Sequence, residues 1–145
     1  MTTPKQSAAL RRALSAESFS DEGELTRACM VVAGETMPDV MILRNSVGTM
    51  QNAAGQHHAF GLGKGTPDLI IAVTIPQWWD THRGPESKPV ARFAAIEMKQ
   101  PGRVSDPHQA QCHDAWRRRG IFVAECHSVA EFTDAIERCR RGDLR

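Results

Sequence analysis

Seven residues in a row, 69–75, read Leu-Ile-Ile-Ala-Val-Thr-Ile, and they follow directly on Pro67 and Asp68. Apolar side chains stand at both odd and even positions of this run, so a β-strand there is apolar on both faces. Such a strand belongs in the interior of a sheet that is covered on both sides. The run therefore predicts a layered α/β fold with this strand at its centre.

The flanking segments supply the other layers of this fold. Apolar residues recur at helical spacing over 19–35 and predict a helix that is capped by Ser20 or Asp21. Asp106, which is followed by a proline, predicts the start of another helix, and Gly120 predicts its end. Further strands are predicted at 39–45, 90–99 and 121–126, and a closing helix at 129–141. The order α-β-β-β-α-β-α indicates a small mixed α/β fold.

Composition is that of one globular domain, because 41% of the 145 residues are hydrophobic and 24% are charged. Residues 1–17 are predicted to form a polar arm with a short helix through Leu10 and Leu14, and residues 18–145 the folded domain. No apolar run approaches the roughly 18 residues of a membrane span. The first residues lack the apolar stretch of a signal peptide, so we expect a cytoplasmic protein.

Two polar loops are predicted between the strands. The first follows a turn at 45–48 and runs to Phe60. The second, residues 77–89, exposes Trp78 and Trp79 and suits an interface or stacking on bases. The alternative for the second loop is that one tryptophan folds back over the sheet.

The four cysteines are predicted to be reduced core thiols, because none forms a C-x2-C pair and no secretory signal precedes them. Cys112 and Cys126 are each followed by a histidine, which suggests zinc. Neighbours in sequence do not face one site on a helix or a strand, however, so structural zinc is not expected.

Net charge alone does not identify a nucleic-acid-binding protein, since 18 Lys and Arg against 17 Asp and Glu leave +1. The arginines are nevertheless clustered, at 11–12, 117–119 and 138–145. The cluster at 117–119 either complements a helix dipole or contacts phosphates.

Glu97 and Lys99 point from the same face of their predicted strand, together with Phe93, because side chains alternate along a strand. Charged groups there are either an ordinary ion pair or part of a site. Asp68, at the mouth of the central strand, favours a site, because two carboxylates suit Mg²⁺ or Mn²⁺. The spacing P-D-x28-E-x-K therefore indicates a phosphodiesterase whose lysine neutralises charge on the reacting phosphate.

The glycine-rich segment 61–66 is not a nucleotide-binding P-loop, since its spacing departs from G-x4-G-K-[ST]. We interpret it as a flexible basic loop beside Asp68, in which Lys64 approaches a DNA phosphate. Arg44 is a second candidate for phosphate contact.

These motifs occur together in a pattern that resembles stand-alone VRR-NUC (virus-type replication-repair nuclease) domains of the PD-(D/E)XK nuclease superfamily. The resemblance covers roughly residues 20–130. It is carried by Glu22-x-x-Leu25, Leu-Arg-Asn-Ser-Val-Gly at 43–48, Phe-Gly-Leu-Gly-x-Gly-Thr-Pro-Asp-Leu at 60–69, Ala-Ile-Glu-Met-Lys at 95–99, Gly-Arg-Val-Ser at 102–105, and Gln109 with Gly120. It implies a single restriction-endonuclease-like α-β-β-β-α-β core with a mixed four-stranded sheet flanked by helices.

The resemblance also implies a role for each matching residue. Asp68 and Glu97 match the metal-binding acids, and Lys99 matches the catalytic lysine. Gln109 matches a glutamine that orients the lysine or a metal-bound water. The implied metal is Mg²⁺, for which Mn²⁺ can substitute.

The helix acid is either Glu22 or Glu24. With Leu25 at zero on a helical wheel of about 3.6 residues per turn, Glu22 lies at about +60° and Glu24 at about −100°. Glu22 therefore sits at the edge of the buried stripe and is the preferred catalytic and metal-binding residue. Solvated first-turn acids remain the alternative for both. Arg103, in the matching Gly-Arg-Val-Ser, joins the candidates for DNA contact.

The function that the resemblance implies is a metal-dependent nuclease selective for branched or Holliday-junction DNA, active in repair or recombination in a bacterial or phage-infected cell. Cutting both strands of a junction needs two active sites, so a homodimer is expected. The alternative is a catalytically silent DNA-binding module with the same fold. A third hypothesis makes Asp68, Glu97 and Lys99 a structural ion-pair network.

Overall fold

A computed structural model of the chain describes residues 6–143, so residues 1–5 of the predicted arm and residues 144–145 lie outside the described residues. The elements in chain order are α1 (Ala8–Ser15), α2 (Glu22–Thr36), β1 (Val40–Arg44), β2 (Gly48–Gln51), β3 (His57–Phe60), β4 (Leu69–Thr81), β5 (Gly84–Met98), α3 (Pro107–Arg117), β6 (Phe122–Cys126) and α4 (Val129–Arg141).

A mixed four-stranded sheet in the order β1-β4-β5-β6 forms the centre of the fold. β4 pairs antiparallel with both β1 and β5, whereas β6 lies parallel to β5. Helix α3 makes the crossover that a parallel neighbour requires. β4 is an interior strand, as its apolar run predicts, and the predicted mixed α/β fold with flanking helices is confirmed.

Helices α2 and α4 pack on one face of the sheet and enclose the core. Leu25, Ile71, Ile96 and Phe132 are all at most 1% exposed there. Burial of each such side chain contributes about 1.5–3 kcal/mol. α3 packs against β6, and its Gln109 contacts a residue of β5 that points away from this core.

The predicted short helix in the N-terminal arm is present as α1. Leu10 and Ala13 are buried against α2, whereas Leu14 is 53% exposed. Ser7 caps the helix by accepting from the backbone N–H of Leu10 at 3.0 Å, and its hydroxyl donates to Glu35 of α2. These contacts attach α1 to the domain, and the division of the chain after residue 17 stays a prediction.

The prediction of a polar loop at 77–89 is wrong. β4 continues to Thr81 and β5 begins at Gly84, so the two strands form one long hairpin. The Thr81 hydroxyl closes its turn by accepting from the backbone N–H of Arg83 at 3.1 Å and donating to the carbonyl of Gly84 at 2.7 Å. Pairing with the neighbouring strand outweighs the local prolines and charges that favour a loop.

The predicted polar loop before Phe60 also contains strands, which is a second correction. β2 and β3 pair antiparallel as a separate two-stranded sheet, with Gly48 opposite Phe60. Asn52 makes the turn between them, because its Oδ1 accepts from the backbone N–H groups of Ala54 and Gln56 at 3.0 Å each. These strands have almost no buried face, so no apolar alternation marks them in the sequence.

The helix ends follow the predicted signals. Asp21, rather than Ser20, caps α2 by accepting from the backbone N–H of Glu24 at 2.7 Å. Asp106 caps α3 and a proline follows it. α3 ends at Arg117, and Gly120 has φ +79°, a conformation that favours glycine.

All four cysteines are free thiols, and Cys29, Cys126 and Cys139 are buried as predicted, whereas Cys112 on α3 is only half-buried and is not a core residue. Burial raises the pKa values of Cys29 and Cys126 to about 12, so these thiols are inert core groups. Of the helices within residues 6–143, none combines the length and hydropathy that crossing a membrane requires.

Candidate active site

The candidate site lies where β4 begins and β5 ends. Leu69 pairs with Ile96 in antiparallel register, which makes Asp68 and Glu97 neighbours across the two strands. The backbone N–H of Met98 donates to Asp68 Oδ2 at 2.9 Å and fixes that carboxylate. The structure thus brings together the two acids of the predicted motif.

Glu97 is buried, with 1% of its surface exposed, and two residues hold one of its oxygens. The Nζ of Lys99 lies 2.7 Å from Oε1, and the Nε2 of Gln109 donates to the same atom. The other oxygen, Oε2, is buried without a hydrogen-bond partner. A buried carboxylate oxygen without a hydrogen-bond partner lowers the stability of the fold. Binding of a cation, a proton or a further hydrogen-bond donor at Oε2 would offset that cost.

Gln109 connects this carboxylate to the start of α3. It occupies the third position of a capping box, in which Asp106 accepts from the backbone N–H of Gln109 at 2.9 Å. In return, Gln109 Oε1 accepts from the backbone N–H of Asp106 at 2.9 Å, which leaves its NH₂ group free for Glu97. The amide is therefore oriented, and Gln109 contacts the acid rather than the lysine.

His113, one turn after Gln109, also faces Glu97, although no sequence motif indicated it as a site residue. Its Nε2 lies 3.8 Å from Glu97 Oε2, and both atoms are buried without a hydrogen-bond partner. The i, i+4 spacing of Gln109 and His113 places both on one face of α3. This spacing from Gln109 is the feature of the sequence that could have indicated His113 as a site residue.

The charges of the site act strongly on Asp68 and Lys99. Burial, with repulsion from Glu97 and Glu22, raises the pKa of Asp68, although the Met98 hydrogen bond and Lys99 oppose the shift. Burial disfavours the charged form of Lys99, but its hydrogen bond and attraction to Glu97, with Glu22 and Asp68, raise its pKa. The site thus holds an excess of negative charge around one firmly cationic lysine.

The structure separates the two candidate helix acids. Glu22 lines a cleft of about 550 Å³ together with Lys99 and Gln109. Glu24 instead accepts from the backbone N–H and the hydroxyl of Ser20, both at 2.8 Å, and contacts Arg12 at 3.2 Å. Glu24 therefore belongs to the junction of α1 and α2, and Glu22 to the site.

Two of the three predicted DNA contacts, Arg103 and Lys64, lie at or beside this cleft. Arg103 lines it directly. Lys64 lies close enough to Asp106 to contribute to the lowered pKa of that carboxyl, whose main cause is the hydrogen bond from Gln109. Gly65, at φ +86°, packs so closely on the carbonyl of His108 that a Cβ would lie 3.0 Å from it, which holds the loop over the start of α3.

Arg44 ends β1 beside the start of β4. The next residue, Asn45, donates its backbone N–H to the Asp68 carbonyl at 2.7 Å and its side-chain NH₂ to Thr66 and Pro67. The end of β1 is thereby fixed to the segment that carries Asp68.

Glu125 of β6 is a further charged group beside the site, and no sequence motif indicated it. It lies in register with Glu97 and accepts from the backbone N–H of Ser105 at 2.8 Å and from the Ser105 hydroxyl. His127 Nε2 contacts its other oxygen at 3.2 Å and the carbonyl of Arg103 at 2.9 Å. These contacts fasten the loop that carries Arg103 to β6.

The acids suit a hard divalent cation. Within residues 6–143, no three His, Cys, Asp or Glu side chains converge closely enough to hold a metal ion by themselves. Mg²⁺ does not require three, because it keeps several waters and takes one or two carboxylates together with a substrate phosphate. The unpartnered Oε2 of Glu97 and the carboxylate of Asp68, in its negatively charged surroundings, fit that pattern.

The family model of the VRR-NUC domain matches residues 50–130, more than half of the chain. The chain belongs to the VRR-NUC family. The match includes Asp68, Glu97, Lys99 and Gln109, whereas Glu22 and Arg44 precede it. The predicted family is confirmed, and the VRR-NUC chain carries a nuclease-type domain. Neither the curated proteins nor the solved structures compared with it gave a match.

Proposed function

We propose that this VRR-NUC protein is a metal-dependent DNA endonuclease that hydrolyses phosphodiester bonds. The observation that carries the proposal is the buried Glu97 carboxylate, which Lys99 and Gln109 hold by one oxygen while the other stays unpartnered. A structural ion-pair network would satisfy both oxygens, because an unpaired buried acceptor lowers stability. Asp68 is the second acid of the site, and Glu22 lines its cleft.

The proposed metal is Mg²⁺, with Mn²⁺ as a substitute, held by Asp68 and Glu97, with Glu22 as an additional acid. When bound, such an ion supplies Lewis acidity to the scissile phosphate and to water. Burial, together with repulsion from Glu97 and Glu22, raises the pKa of Asp68, and a bound cation would relieve that repulsion among the acids.

Lys99 and Gln109 have different proposed roles. Lys99 stays protonated, because its neighbours raise its pKa, and it presents a positive charge where negative charge develops on the phosphate. Gln109 orients the Glu97 carboxylate, and the capping box holds Gln109 itself in place. Hydrolysis then follows in-line attack of water on the phosphorus, with departure of the sugar oxygen.

The proposed substrate is branched DNA, including four-way junctions, which Arg44, Lys64 and Arg103 contact through phosphates. Phosphate contacts set position without reading sequence, as a structure-selective enzyme requires. One chain supplies one site, so paired incision of a junction calls for a homodimer.

The proposal is tested by incubating linear duplex, single-stranded, flap and four-way-junction DNA with the protein and Mg²⁺ or Mn²⁺. Glu97→Gln is the inactive variant, and Glu24→Gln is the matched control that removes a carboxylate outside the cleft. We expect metal-dependent cutting of the junction that Glu97→Gln lowers at least about 100-fold. Cutting of flaps or linear ends alone would overturn the junction preference. Binding without cutting on any substrate would establish the silent DNA-binding module instead.

A further inference from the structure

The hairpin of β2 and β3 stands apart from the core of the domain. The two strands form a sheet of their own, and residues 49–64, which include most of the hairpin and the glycine-rich loop after it, are all exposed. A hairpin of two strands is at best marginally stable in water by itself. The β2–β3 hairpin therefore gains stability from any surface that packs against it.

The base of this hairpin is fixed to the segment that carries Asp68. Asn45 donates its backbone N–H to the Asp68 carbonyl at 2.7 Å, and its Oδ1 accepts from the backbone N–H of Leu62 at 3.2 Å. Gly61, at φ +86°, passes so close to Ser46 that a Cβ would lie 2.4 Å from the Ser46 carbonyl oxygen. The two ends of the hairpin are thus held together, and their position is set relative to the candidate site.

The charge of this region suits a polyanion. Residues 40–67 contain no Asp or Glu, and no other interval of the chain without an acid is as long. Arg44 and Lys64 supply one cation on each side of the base of the hairpin. A DNA backbone therefore meets no repelling carboxylate along this segment and finds cations for its phosphates where the hairpin joins the domain.

The dimensions of the hairpin match one groove of duplex DNA. Four residues in each strand make it about 14 Å long, and two strands with their side chains make it about 10 Å wide. The major groove is about 12 Å wide and admits a two-stranded β-ribbon, whereas the minor groove is about 6 Å wide and does not. The shape of the hairpin therefore favours the major groove.

Hydrogen bonds within the hairpin hold its tip in one conformation. The Nδ2 of Asn52 lies 2.9 Å from Gln56 Oε1 and 3.2 Å from His58 Nε2, and Gln51 donates to the carbonyl of Gly55 at 3.0 Å. These contacts order the tip before any ligand binds. Ordering in advance lowers the entropy cost of association.

We propose that the β2–β3 hairpin lies in the major groove of the duplex next to the scissile phosphate and makes the protein bind double-stranded DNA in preference to single strands. Arg44 and Lys64 contact the phosphates at the edge of that groove. A single strand has no groove, so it forms no contact with the hairpin of this kind. The inference rests on the proposed action on DNA and adds which part of the substrate the hairpin contacts.

Two exposed turn residues provide a matched test. Ala54 lies in the turn of the β2–β3 hairpin and His82 in the turn of the β4–β5 hairpin, and both are exposed. Ala54→Glu and His82→Glu each add one carboxylate, whereas Ala54→Gln adds the same bulk without charge. Fluorescence anisotropy of the full chain, without divalent metal so that DNA stays uncut, measures the dissociation constants for a four-way junction, a linear duplex and a single strand. Circular dichroism and urea midpoints verify that each variant is folded.

We expect Ala54→Glu to weaken binding to the duplex and to the junction at least about fivefold and binding to the single strand less than about twofold. Ala54→Gln and His82→Glu are expected to stay within about twofold of wild type on all three DNAs. The guanine N7 atom lies in the major groove, so we also expect the bound wild type to protect N7 in the junction arms from methylation by dimethyl sulfate.

The inference is overturned by equal effects of Ala54→Glu and His82→Glu, by equal losses on the duplex and the single strand, or by N7 atoms that stay reactive. A wild type that binds no duplex overturns it as well. Metal-dependent cutting with unchanged affinity in Ala54→Glu would refute the groove contact and leave the nuclease intact. Binding that depends on Ala54 without any cutting in Mg²⁺ would refute the nuclease alone.

Discussion

The two ends of the β4–β5 hairpin are built from the same two strands and have opposite surroundings. At the end with Asp68 and Glu97, neighbouring strands and α3 bury the side chains, and Lys99 and Gln109 contact the buried acid. At the outer end, next to the turn at Thr81 and Gly84, charged groups reach solvent on one face, and apolar groups such as Trp78 are exposed on the other. Polar groups are thus enclosed where chemistry is proposed, and apolar groups are exposed at the opposite end.

This difference shows that burial changes how much a charged side chain contributes to stability. A charge in water contributes little by pairing, whereas a buried charge depends on its partner for its cost to be offset. Lys88 lies in the outer half of β5, and Lys99 directly follows the end of the strand at the site. The pair therefore offers a direct comparison.

The largest expected effect is on stability when each lysine is replaced by methionine, which keeps the length of the stem. Lys99→Met leaves Glu97 buried without its cation and is expected to lower the free energy of unfolding by about 3–5 kcal/mol. Lys88→Met removes only an exposed contact with Trp79 and is expected to cost about 0.5–1 kcal/mol. Urea unfolding measures both, and equal losses would contradict the distinction between the two ends.

A smaller effect separates the acids at the start of α2. Glu22→Gln removes a charge that acts on Asp68 and Lys99, and we expect it to lower the cleavage rate about tenfold, or about 1.4 kcal/mol of barrier. Glu24→Gln is the control, because Glu24 contacts Ser20 and Arg12 outside the cleft. Single-turnover rates test this, and a larger loss in Glu24→Gln would reverse the assignment.

The smallest expected effect is the pH dependence of the stability that His127 contributes. His127 contacts the carbonyl of Arg103 and so holds the loop that carries it. Burial disfavours the charged form of His127, but hydrogen bonds to the Arg103 carbonyl and to Glu131, with the charge of Glu125, raise its pKa above 6.5. Acceptors face both ring nitrogens, and only the imidazolium donates from both.

A raised pKa means that the native state binds the proton more tightly than the unfolded chain. The stabilisation is therefore complete below pH 6.5 and is lost as pH rises through the higher native value. We expect wild type to exceed His127→Gln by about 0.5–1 kcal/mol near pH 5.5 and by less at pH 8.5. Urea midpoints across this range measure the difference, and a gap that widens with pH would contradict the prediction.

The sequence predicts the placement of the site because each of its residues adjoins a recognisable boundary. Asp68 precedes an apolar strand, Glu97 and Lys99 end another, and Gln109 follows a helix cap. The structure brings these four together, while their catalytic roles stay predictions. The helical wheel likewise separates Glu22 from Glu24, because periodicity determines which side of a helix faces the core.

What the sequence does not predict depends on contacts between distant segments. His113 acquires its position only when α3 packs against β6 and turns toward Glu97, and its spacing from Gln109 indicates a site residue only once Gln109 itself is placed. The outer hairpin contains prolines and charges that favour a loop, and pairing over its full length overrides them. That pairing also brings Trp78 and Phe93 onto one exposed face of the sheet, which the sequence alone could not show.

The central claim, that the chemistry resides at the buried end of the hairpin and not at its outer end, is tested most directly by nicking of supercoiled plasmid. A single site suffices for a nick, so the monomer is competent. With Mg²⁺, Glu97→Gln is expected to lower the nicking rate per chain at least about 100-fold, and Trp78→Ser to stay within about twofold of wild type. Wild-type nicking by Glu97→Gln, or its loss in folded Trp78→Ser, would contradict the account.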